Sequence, residues 1–373
     1  GVLVFLPQIL LLFLFISILE DSGYMARAAF LLDKIMSKFG LHGKAFLPLM
    51  SSFACAIPGI MATRTIENPK DRLATILIAP FMSCSARLPV YTLMIATFFA
   101  GQTAFGFISM GAVLMLSMYA LGIIMAILAA FILKKTLLKS ETPPFVMELP
   151  PYRLPNFRTV FQNMFLRAGL FLKRAGTVIL AISIILWTLT YFPRPAETAN
   201  PEEDAAKFQT VVETCGCEIE AAKRIEEEKQ SLALQNSYAG KLGQIIEPVI
   251  APLGFDWKIG VALIASFAAR EVLVSTLSII YNVGKDSEAD SETLIQAIRD
   301  AKRADGSPVW TPLTAITLMV FFVLAIQCMS TVAVVRRETN SWLWTFFMIA
   351  YMTILAYVAA FLTYQGGKLL GFG

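Results

Sequence analysis

Charged residues are scarce in this sequence. Asp, Glu, Lys and Arg make up 16% of the 373 residues, whereas soluble domains carry about a quarter. Hydrophobic residues make up 57%, and the mean hydropathy is +0.66. Apolar runs long enough to cross a bilayer recur from one end of the chain to the other. The composition excludes a soluble protein, and the repeated apolar runs exclude a soluble domain held by a single membrane anchor. Together they predict a multi-span membrane protein.

Residues for tight metal, nucleotide or nucleic-acid binding are also few. His42 is the only histidine, and the five cysteines form no C-x-x-C pair, so a structural zinc site and a disulfide framework are disfavoured. Residues 40–44 (GLHGK) have the wrong spacing for a phosphate-binding loop. The net charge of +4 gives no sign of nucleic-acid binding. We therefore expect no enzymatic activity and no GTP binding from this chain.

The apolar runs predict an all-α fold, a polytopic bundle of about eight membrane-spanning helices. The predicted spans are residues 2–19, 45–66, 73–100, 104–133, 175–192, 259–282, 311–335 and 342–366. An amphipathic stretch over residues 24–40 is expected to lie in the membrane interface.

Loop charges predict the orientation of these spans. Basic residues cluster between residues 134 and 174, which predicts a cytoplasmic, proline-rich connector, whereas the acidic loop between residues 194 and 235 is expected outside. The predicted units are 1–133, a first gate-type repeat; 134–174, the connector; 175–254, a span with the acidic loop; and 255–373, the rest of a second repeat. Eight spans would place both chain ends in the cytoplasm. Arg336 and Arg337 would then lie outside, against the positive-inside rule.

An internal repeat is visible in the sequence. Residues 32–66 align without a gap with residues 246–280, and a second offset places Cys84 opposite Cys328. With eight spans the two repeats would run in the same direction through the membrane. Transporters built from repeats bind their substrate near the midplane, where interrupted helices of the two halves meet.

Three cysteines lie in apolar segments whose helical pattern is disturbed: Cys55, Cys84 and Cys328. A thiol is a soft metal ligand, and helices are broken at membrane depth only where the backbone lines protein or a watery cavity. We therefore predict an ion path that also includes the neighbouring Met82, Ser83, Met329 and Ser330. The alternative is that each buried cysteine packs as a small apolar residue.

Charged residues next to these segments are further candidates. Glu271 follows Arg270 inside the sixth predicted span, and Glu20 and Asp21 close the first one. A charge at the bilayer centre is costly unless it faces the bundle interior and has a partner. We expect Glu271 to contribute to the ion path, and Glu20, Asp21 and Arg270 to act at an entrance or gate. A structural ion pair between helices is the alternative for Glu271.

Several stretches resemble the membrane domain of the ferrous iron transport protein B family. They are residues 19–30, 62–65, 80–87, 144–150 and 269–272 and the segment around Cys328, in the family's order over nearly the whole chain. Ala54 departs from the pattern, since the family often has glycine before the first cysteine. The resemblance implies two gate-type repeats and uptake of Fe2+ across the bacterial inner membrane.

The same resemblance implies partners. It implies an N-terminal GTP-binding domain, which would use GTP and Mg2+, and small accessory iron-transport proteins. A homo-oligomer in the lipid bilayer is a further expectation. The chain begins without an initiator Met, so we expect it to be a piece of a longer protein. The main alternative is a transporter of an organic solute such as a nucleoside, in which the sulfur atoms would be incidental.

Overall fold

The computed structural model describes residues 2–38, 40–104, 106, 108–139, 151–191, 237–267, 270, 272–281, 291–303 and 306–371. Across these residues the fold is helical, apart from the two-residue strands β1 (Thr103–Ala104) and β2 (Ile108–Ser109), which pair antiparallel. The expected all-α class is confirmed. The acidic loop, with Cys215 and Cys217, and most of the proline-rich part of the connector lie outside the described residues.

The helices of the first half are α1 (Val2–Asp21), α2 (Tyr24–Lys38), α3 (Phe46–Ala54), α4 (Ala56–Ala62), α5 (Pro69–Ile78), α6 (Leu88–Phe98) and α7 (Met110–Lys135). Those of the second half are α8 (Phe157–Tyr191), α9 (Tyr238–Ile250), α10 (Trp257–Ser266), α11 (Val272–Ile280), α12 (Ser291–Asp300), α13 (Pro312–Leu324), α14 (Met329–Thr339) and α15 (Trp342–Leu369). The predicted interfacial stretch corresponds to α2.

Side-chain caps mark where several of these helices begin. Asn68 accepts a hydrogen bond from the Lys70 N–H at the start of α5, Asp256 does the same for Ile259 in α10, and Thr311 for Thr314 in α13. Each cap satisfies a backbone donor that has no partner within the helix. Two of these helices begin with proline, whose fixed φ suits the first turn.

Helices α3 and α4 form a hairpin, hairpin 1, with Cys55 at its tip. A Cβ atom on Gly59 would overlap Ser52 Oγ and lie 2.6 Å from the Pro48 carbonyl oxygen, so the two helices pack side by side. Lys44 and Glu67, which flank the hairpin, form an ion pair at 2.8 Å. Both ends of hairpin 1 therefore lie at the same end of the bundle. The predicted break at Cys55 is present, but residues 45–66 fold back as a hairpin and do not form the predicted span.

Helices α10 and α11 form a second hairpin, hairpin 2, with Phe267 and Arg270 at its tip. Its two helices contact each other. The Lys258 ammonium lies 5.1 Å from the centre of the Tyr281 ring, which places both ends of the hairpin together. The predicted span over residues 259–282 therefore folds back on itself as well.

Two membrane-length segments are interrupted. The first, Pro69–Phe98, consists of α5 and α6 joined by break 1 (residues 79–87); the second, Pro312–Thr339, consists of α13 and α14 joined by break 2 (residues 325–328). Near the end of α14, Glu338 accepts hydrogen bonds from Arg64 at 2.5 Å and from Arg72 of α5 at 2.7 Å. At the other end, Arg299 of α12, the helix that precedes α13, donates to the Thr97 carbonyl near the end of α6 at 2.6 Å. The start of the second segment thus lies near the end of the first. The two interrupted segments therefore run antiparallel.

This arrangement corrects the predicted direction of the repeats. Lys134, at the end of α7, pairs with Asp71 of α5, which places it at the same end of the bundle as Arg72 and Glu338. We call this the Lys134 end and the opposite one the Thr97 end. Arg336 and Arg337, which precede Glu338, thus lie at the Lys134 end. The predicted same-direction repeat is wrong, and the apparent violation of the positive-inside rule disappears.

Four helical segments are long and apolar enough to cross a membrane among the residues that the structure describes. They are Pro69–Phe98, Met110–Lys135, Pro312–Thr339 and Trp342–Leu369, and a fifth results if the strongly bent pair Gly240–Leu253 and Trp257–Ser266 is counted as one span. The four coincide with predicted spans, but the predicted total of eight is not confirmed. The 13 residues of α13 are nearly all buried, so this helix lies at the centre of the hydrophobic core.

Candidate functional site

The three cysteines lie where helices stop. Cys55 connects α3 to α4 with φ −155° and ψ 133°, and Cys328 precedes α14 with φ −160° and ψ 101°. Cys84 lies in break 1 with φ −80° and ψ 162°. All three have extended backbones and half-buried side chains, and none forms a disulfide. An extended residue in a helical segment leaves backbone groups free, so each cysteine marks a polar point in an apolar surrounding.

The hairpin tips contact the breaks. Ser85 Oγ in break 1 lies 3.3 Å from the Ala54 carbonyl oxygen at the tip of hairpin 1, to which it donates. On the other side, the Met329 N–H donates to the Phe267 carbonyl of hairpin 2 at 3.0 Å. Helices α4 and α14, which each follow a cysteine, also pack against each other. The tips and breaks of the two halves therefore converge on one central region.

Cys55 is the cysteine with neighbouring thiol and charged groups in both halves of the chain. It lies within electrostatic range of Cys84, of Cys328 and of Arg270. No three His, Cys, Asp or Glu side chains within the described ranges are close enough to hold one metal ion together. The structure thus gathers the predicted thiols around one region but does not form a closed thiolate cage.

Two buried arginines stabilise the breaks. In break 1, Arg87 is completely buried and donates to the carbonyls of Pro80 at 2.9 Å and Phe81 at 3.1 Å, and to Ser83 Oγ at 3.3 Å. Arg270, at the tip of hairpin 2, is 5% exposed and donates to the Ala325 carbonyl of break 2 at 3.2 Å. Each guanidinium therefore satisfies carbonyl groups that the interrupted helix leaves free.

Arg87 was missed as a site residue by the sequence reasoning. The signal was present, because Arg87 is a charged residue inside an apolar span, the same criterion that selected Arg270. Gln327 was missed too. It lies in break 2 next to Cys328 and is completely buried. Within the described part of the chain, neither its Oε1 nor its Nε2 has a hydrogen-bond partner.

The residues next to the cysteines differ in their environments. Met82 is buried, and Ser83 accepts a hydrogen bond from Arg87. Met329 is 42% exposed, whereas Ser330, on the next position of α14, is buried with an unpartnered Oγ. Ser83, Ser330 and the Met82 thioether thus lie inside the bundle, whereas Met329 is partly exposed.

The acidic candidates are only partly described. Glu271 lies outside the described residues, and the Glu20 side chain is not described either. Asp21 is exposed at the end of α1, where its Oδ2 accepts a hydrogen bond from the Asn156 N–H at 2.7 Å, just before α8. In the structure Asp21 therefore links α1 to the start of α8, and its role at an entrance or gate stays a prediction.

Interrupted spans, helical hairpins and a buried polar centre define a multi-pass membrane protein. Comparison with protein families agrees with this class. Residues 2–98 and 172–342 match the Gate family, described as nucleoside recognition, and residues 115–167 match the ferrous iron transport protein B C terminus. Together with the relatives below, these matches show that the chain belongs to the ferrous iron transport protein B family.

Curated relatives match over essentially the whole chain. It is 47% identical to an Fe(2+) transporter FeoB of Leptospira biflexa over 372 residues, and 41% identical to one of Staphylococcus aureus over 370 residues. These matches cover 100% and 99% of this chain but 50% and 47% of the relatives. A fusion of Fe(2+) transport protein A with FeoB from Porphyromonas gingivalis is 45% identical, covering 99% of this chain and 43% of that protein. The chain thus spans about half the length of these relatives. No solved structure matches it.

Proposed function

We propose that the chain forms the transmembrane path of an Fe2+ transporter, with Cys55, Cys84 and Cys328 lining it. The convergence of three thiol-bearing helix interruptions is the observation that carries this proposal. Membership of a family whose relatives are named Fe(2+) transporters supports the choice of ion. The name of the matched Gate family mentions nucleosides, but no described feature of the centre favours such a substrate over a metal ion.

The proposed architecture is a pair of inverted repeats. Each repeat contributes an amphipathic helix, a hairpin and an interrupted span, and the helices α1, α5–α6, α7, α8, α13–α14 and α15 cross the membrane. Hairpin 1 enters from the Lys134 end and hairpin 2 from the Thr97 end. The antiparallel course of the interrupted spans supports this reading, and it replaces eight crossings with six crossings and two hairpins. The units 1–133, 134–174, 175–254 and 255–373 remain the proposed boundaries.

Ligand chemistry explains why this centre suits transport better than storage. Fe2+ accepts sulfur, nitrogen and oxygen ligands and is held weakly by any of them among the divalent ions. Transport requires binding that is weak enough for release. Half-buried cysteines that do not form a three-ligand site fulfil this condition. We propose that Glu271, next to Arg270 in hairpin 2, adds a carboxylate to the path.

The whole protein would operate with further components. We propose that an N-terminal GTP-binding domain, using GTP and Mg2+, regulates the path from the Lys134 end in a bacterial inner membrane. The fusion relative supports a small accessory iron-transport protein as a partner. A homo-oligomer remains part of the proposal.

Flux measurements test the thiol path. The protein is reconstituted in liposomes, and Fe2+ entry is followed for wild type and for Cys55→Ser, Cys84→Ser and Cys328→Ser. We expect each substitution to lower Fe2+ entry by roughly tenfold, which corresponds to about 1.4 kcal/mol of lost interaction. Cys217→Ser, outside the predicted path, is the matched control and should leave entry unchanged.

Two outcomes would contradict parts of the proposal. Undiminished Fe2+ entry in all three serine variants would remove the thiols from the path while leaving Fe2+ as the cargo. Nucleoside entry without Fe2+ entry in the wild type would reject the ion itself.

A further inference from the structure

The side chain of Gln327 is the least expected polar group in the centre. It is completely buried, although glutamine is mostly found at protein surfaces. Both its amide oxygen and its amide nitrogen lack a hydrogen-bond partner among the residues that the structure describes. A buried polar group without a partner costs free energy, and in native proteins a water molecule or a ligand usually supplies the missing contact.

Ser330 adds a second such group to the same short segment. Its Oγ is also buried and unpartnered, two residues after Cys328. Other buried serines nearby are satisfied: Ser266 Oγ donates to the Leu263 carbonyl at 2.6 Å, and Ser52 Oγ donates to the Pro48 carbonyl at 2.8 Å. Ser17 Oγ in α1 is also buried and unpartnered, so the lack of a partner is not confined to this segment. Break 2 and the first turn of α14 differ in that two such side chains lie three residues apart and flank Cys328.

Neighbouring contacts hold this segment in place. The Ala325 carbonyl accepts a hydrogen bond from Arg270, and the Met329 N–H donates to the Phe267 carbonyl. The backbone on both sides of Gln327 and Cys328 is therefore fixed against hairpin 2. A segment fixed in this way presents its side chains without the entropic cost of ordering a flexible loop.

We propose that Gln327 Oε1 and Ser330 Oγ, together with Cys328 Sγ, bind the transported divalent cation, and that the two oxygens set its selectivity. The inference rests on the proposed ion-transport function. It adds Gln327 to the path and assigns ion selectivity to Gln327 and Ser330. The ligand set is two neutral oxygens and one sulfur. Thiolates alone favour softer ions such as Cu(I) and Zn2+, whereas amide and hydroxyl oxygens favour harder ones such as Mn2+. Fe2+ suits a mixed set.

Substitution of Gln327 separates its role as a ligand from its role in packing. Gln327→Leu keeps the approximate size of the side chain and removes the oxygen. We expect Fe2+ entry into proteoliposomes to fall about tenfold, while Zn2+ entry falls less, so that the Fe2+/Zn2+ ratio drops. Gln327→Glu keeps an oxygen and adds a charge, so it should lower the KM for Fe2+ and also the maximal rate, because the ion leaves more slowly.

Matched controls lie elsewhere in the bundle. Gln365→Leu removes a partly buried amide whose Nε2 already donates to the Pro252 carbonyl, and Ser266→Ala removes a satisfied hydroxyl, whereas Ser330→Ala removes an unpartnered one. We expect only the break 2 variants to change the Fe2+/Zn2+ ratio. X-ray absorption at the iron edge of the Fe2+-loaded protein gives a direct readout: both oxygen and sulfur neighbours in wild type, and fewer oxygen neighbours in Gln327→Leu.

The outcomes distinguish this inference from the proposed function. Wild-type Fe2+ entry together with an unchanged ion ratio in Gln327→Leu and Ser330→Ala would overturn the oxygen-ligand proposal and leave Fe2+ transport intact. An absence of Fe2+ entry in the wild type would overturn the transport function and this inference with it. If Gln327→Leu does not fold, Gln327→Glu still decides, since an unchanged KM and maximal rate would contradict the proposal.

Discussion

At the scale of single residues, the interruptions depend on a few buried polar contacts. Arg87 binds two main-chain carbonyls that the end of α5 and the following turn leave without helical partners. In a membrane these carbonyls have no water to bind, so the guanidinium replaces the missing hydrogen bonds. The interruption that exposes Cys84 therefore requires a long cationic side chain a few residues further along.

Replacement of Arg87 tests this dependence. Arg87→Met keeps much of the side-chain volume but leaves the Pro80 and Phe81 carbonyls unpaired, so we expect a loss of about 2 kcal/mol or more in stability. Arg158→Met, on the exposed first turn of α8, is the matched control and should have little effect. Thermal unfolding of the detergent-solubilised protein measures the difference. Equal melting temperatures for the two variants would show that Arg87 is not needed to stabilise break 1.

The residue scale also shows what a sequence can predict. Cys55, Cys84 and Cys328 are found from their apolar surroundings and the disturbed helical pattern around them. Gln327 is not found in this way, because the sequence does not show that both atoms of its amide remain unpaired. Arg87 lies between these cases, since its charge is visible in the sequence but its carbonyl partners are not.

At the scale of elements, hairpin 1 depends on a close approach between two short helices. Gly59 of α4 faces Ser52 and Pro48 of α3 with no room for a side chain. A larger residue at this position would therefore force α3 and α4 apart or displace the Ser52 side chain. The sequence predicted one broken span here because its length, about 22 residues, is enough to cross a bilayer. Length alone does not distinguish a span from two helices that fold back.

A glycine pair tests the hairpin. Gly59→Ala introduces a methyl group that overlaps Ser52 Oγ, so we expect a loss of about 1–3 kcal/mol from overpacking. Gly169→Ala, in the interior of α8 with no atom within 4 Å of the added carbon, should be neutral or stabilise the helix by up to about 1 kcal/mol. Thermal unfolding of both variants decides. A Gly59→Ala protein as stable as the Gly169→Ala protein would contradict the side-by-side packing of α3 and α4.

Glu338 links three elements at the Lys134 end. Its side chain is 3% exposed and pairs with Arg64 beyond α4 and with Arg72 on α5. Glu338→Gln keeps the shape but removes the charge, and we expect a loss of about 1–3 kcal/mol. Glu67→Gln changes an exposed carboxylate that pairs with Lys44, so it should cost less stability than Glu338→Gln. The difference in unfolding free energy between these variants, measured at low and high salt, checks the assignment. Equal unfolding free energies for the two variants would show that the Arg64 and Arg72 contacts do not form.

At the scale of the whole molecule, the antiparallel course of the two interrupted spans is the main difference from the sequence prediction. The order of elements was predictable, because the repeat aligns residues 32–66 with residues 246–280. The direction was not, because it depends on how many segments cross the membrane. Each hairpin that is counted as a span adds one crossing to its repeat. Two such hairpins leave the parity of the total unchanged, but they reverse the direction of every segment between them.

Labelling from one side of the membrane tests this topology. Lys135→Cys and Arg337→Cys, each in a background with the five native cysteines replaced by serine, should react with a membrane-impermeant maleimide from the same side. Thr103→Cys, between α6 and α7, should react only from the other side. Opposite labelling of positions 135 and 337 would restore the same-direction repeat and exclude the inverted one.

The two hairpins are secured at their bases by different chemistry, and this difference bears on their mechanical strength. Hairpin 1 is fixed by the buried Glu338 and two arginines, whereas hairpin 2 is fixed by the contact of Lys258 with the Tyr281 ring. Opening the first base separates paired charges, and opening the second separates a weaker aromatic contact. The bundle is thus mechanically asymmetric, with a stiffer base at the Lys134 end than at the Thr97 end.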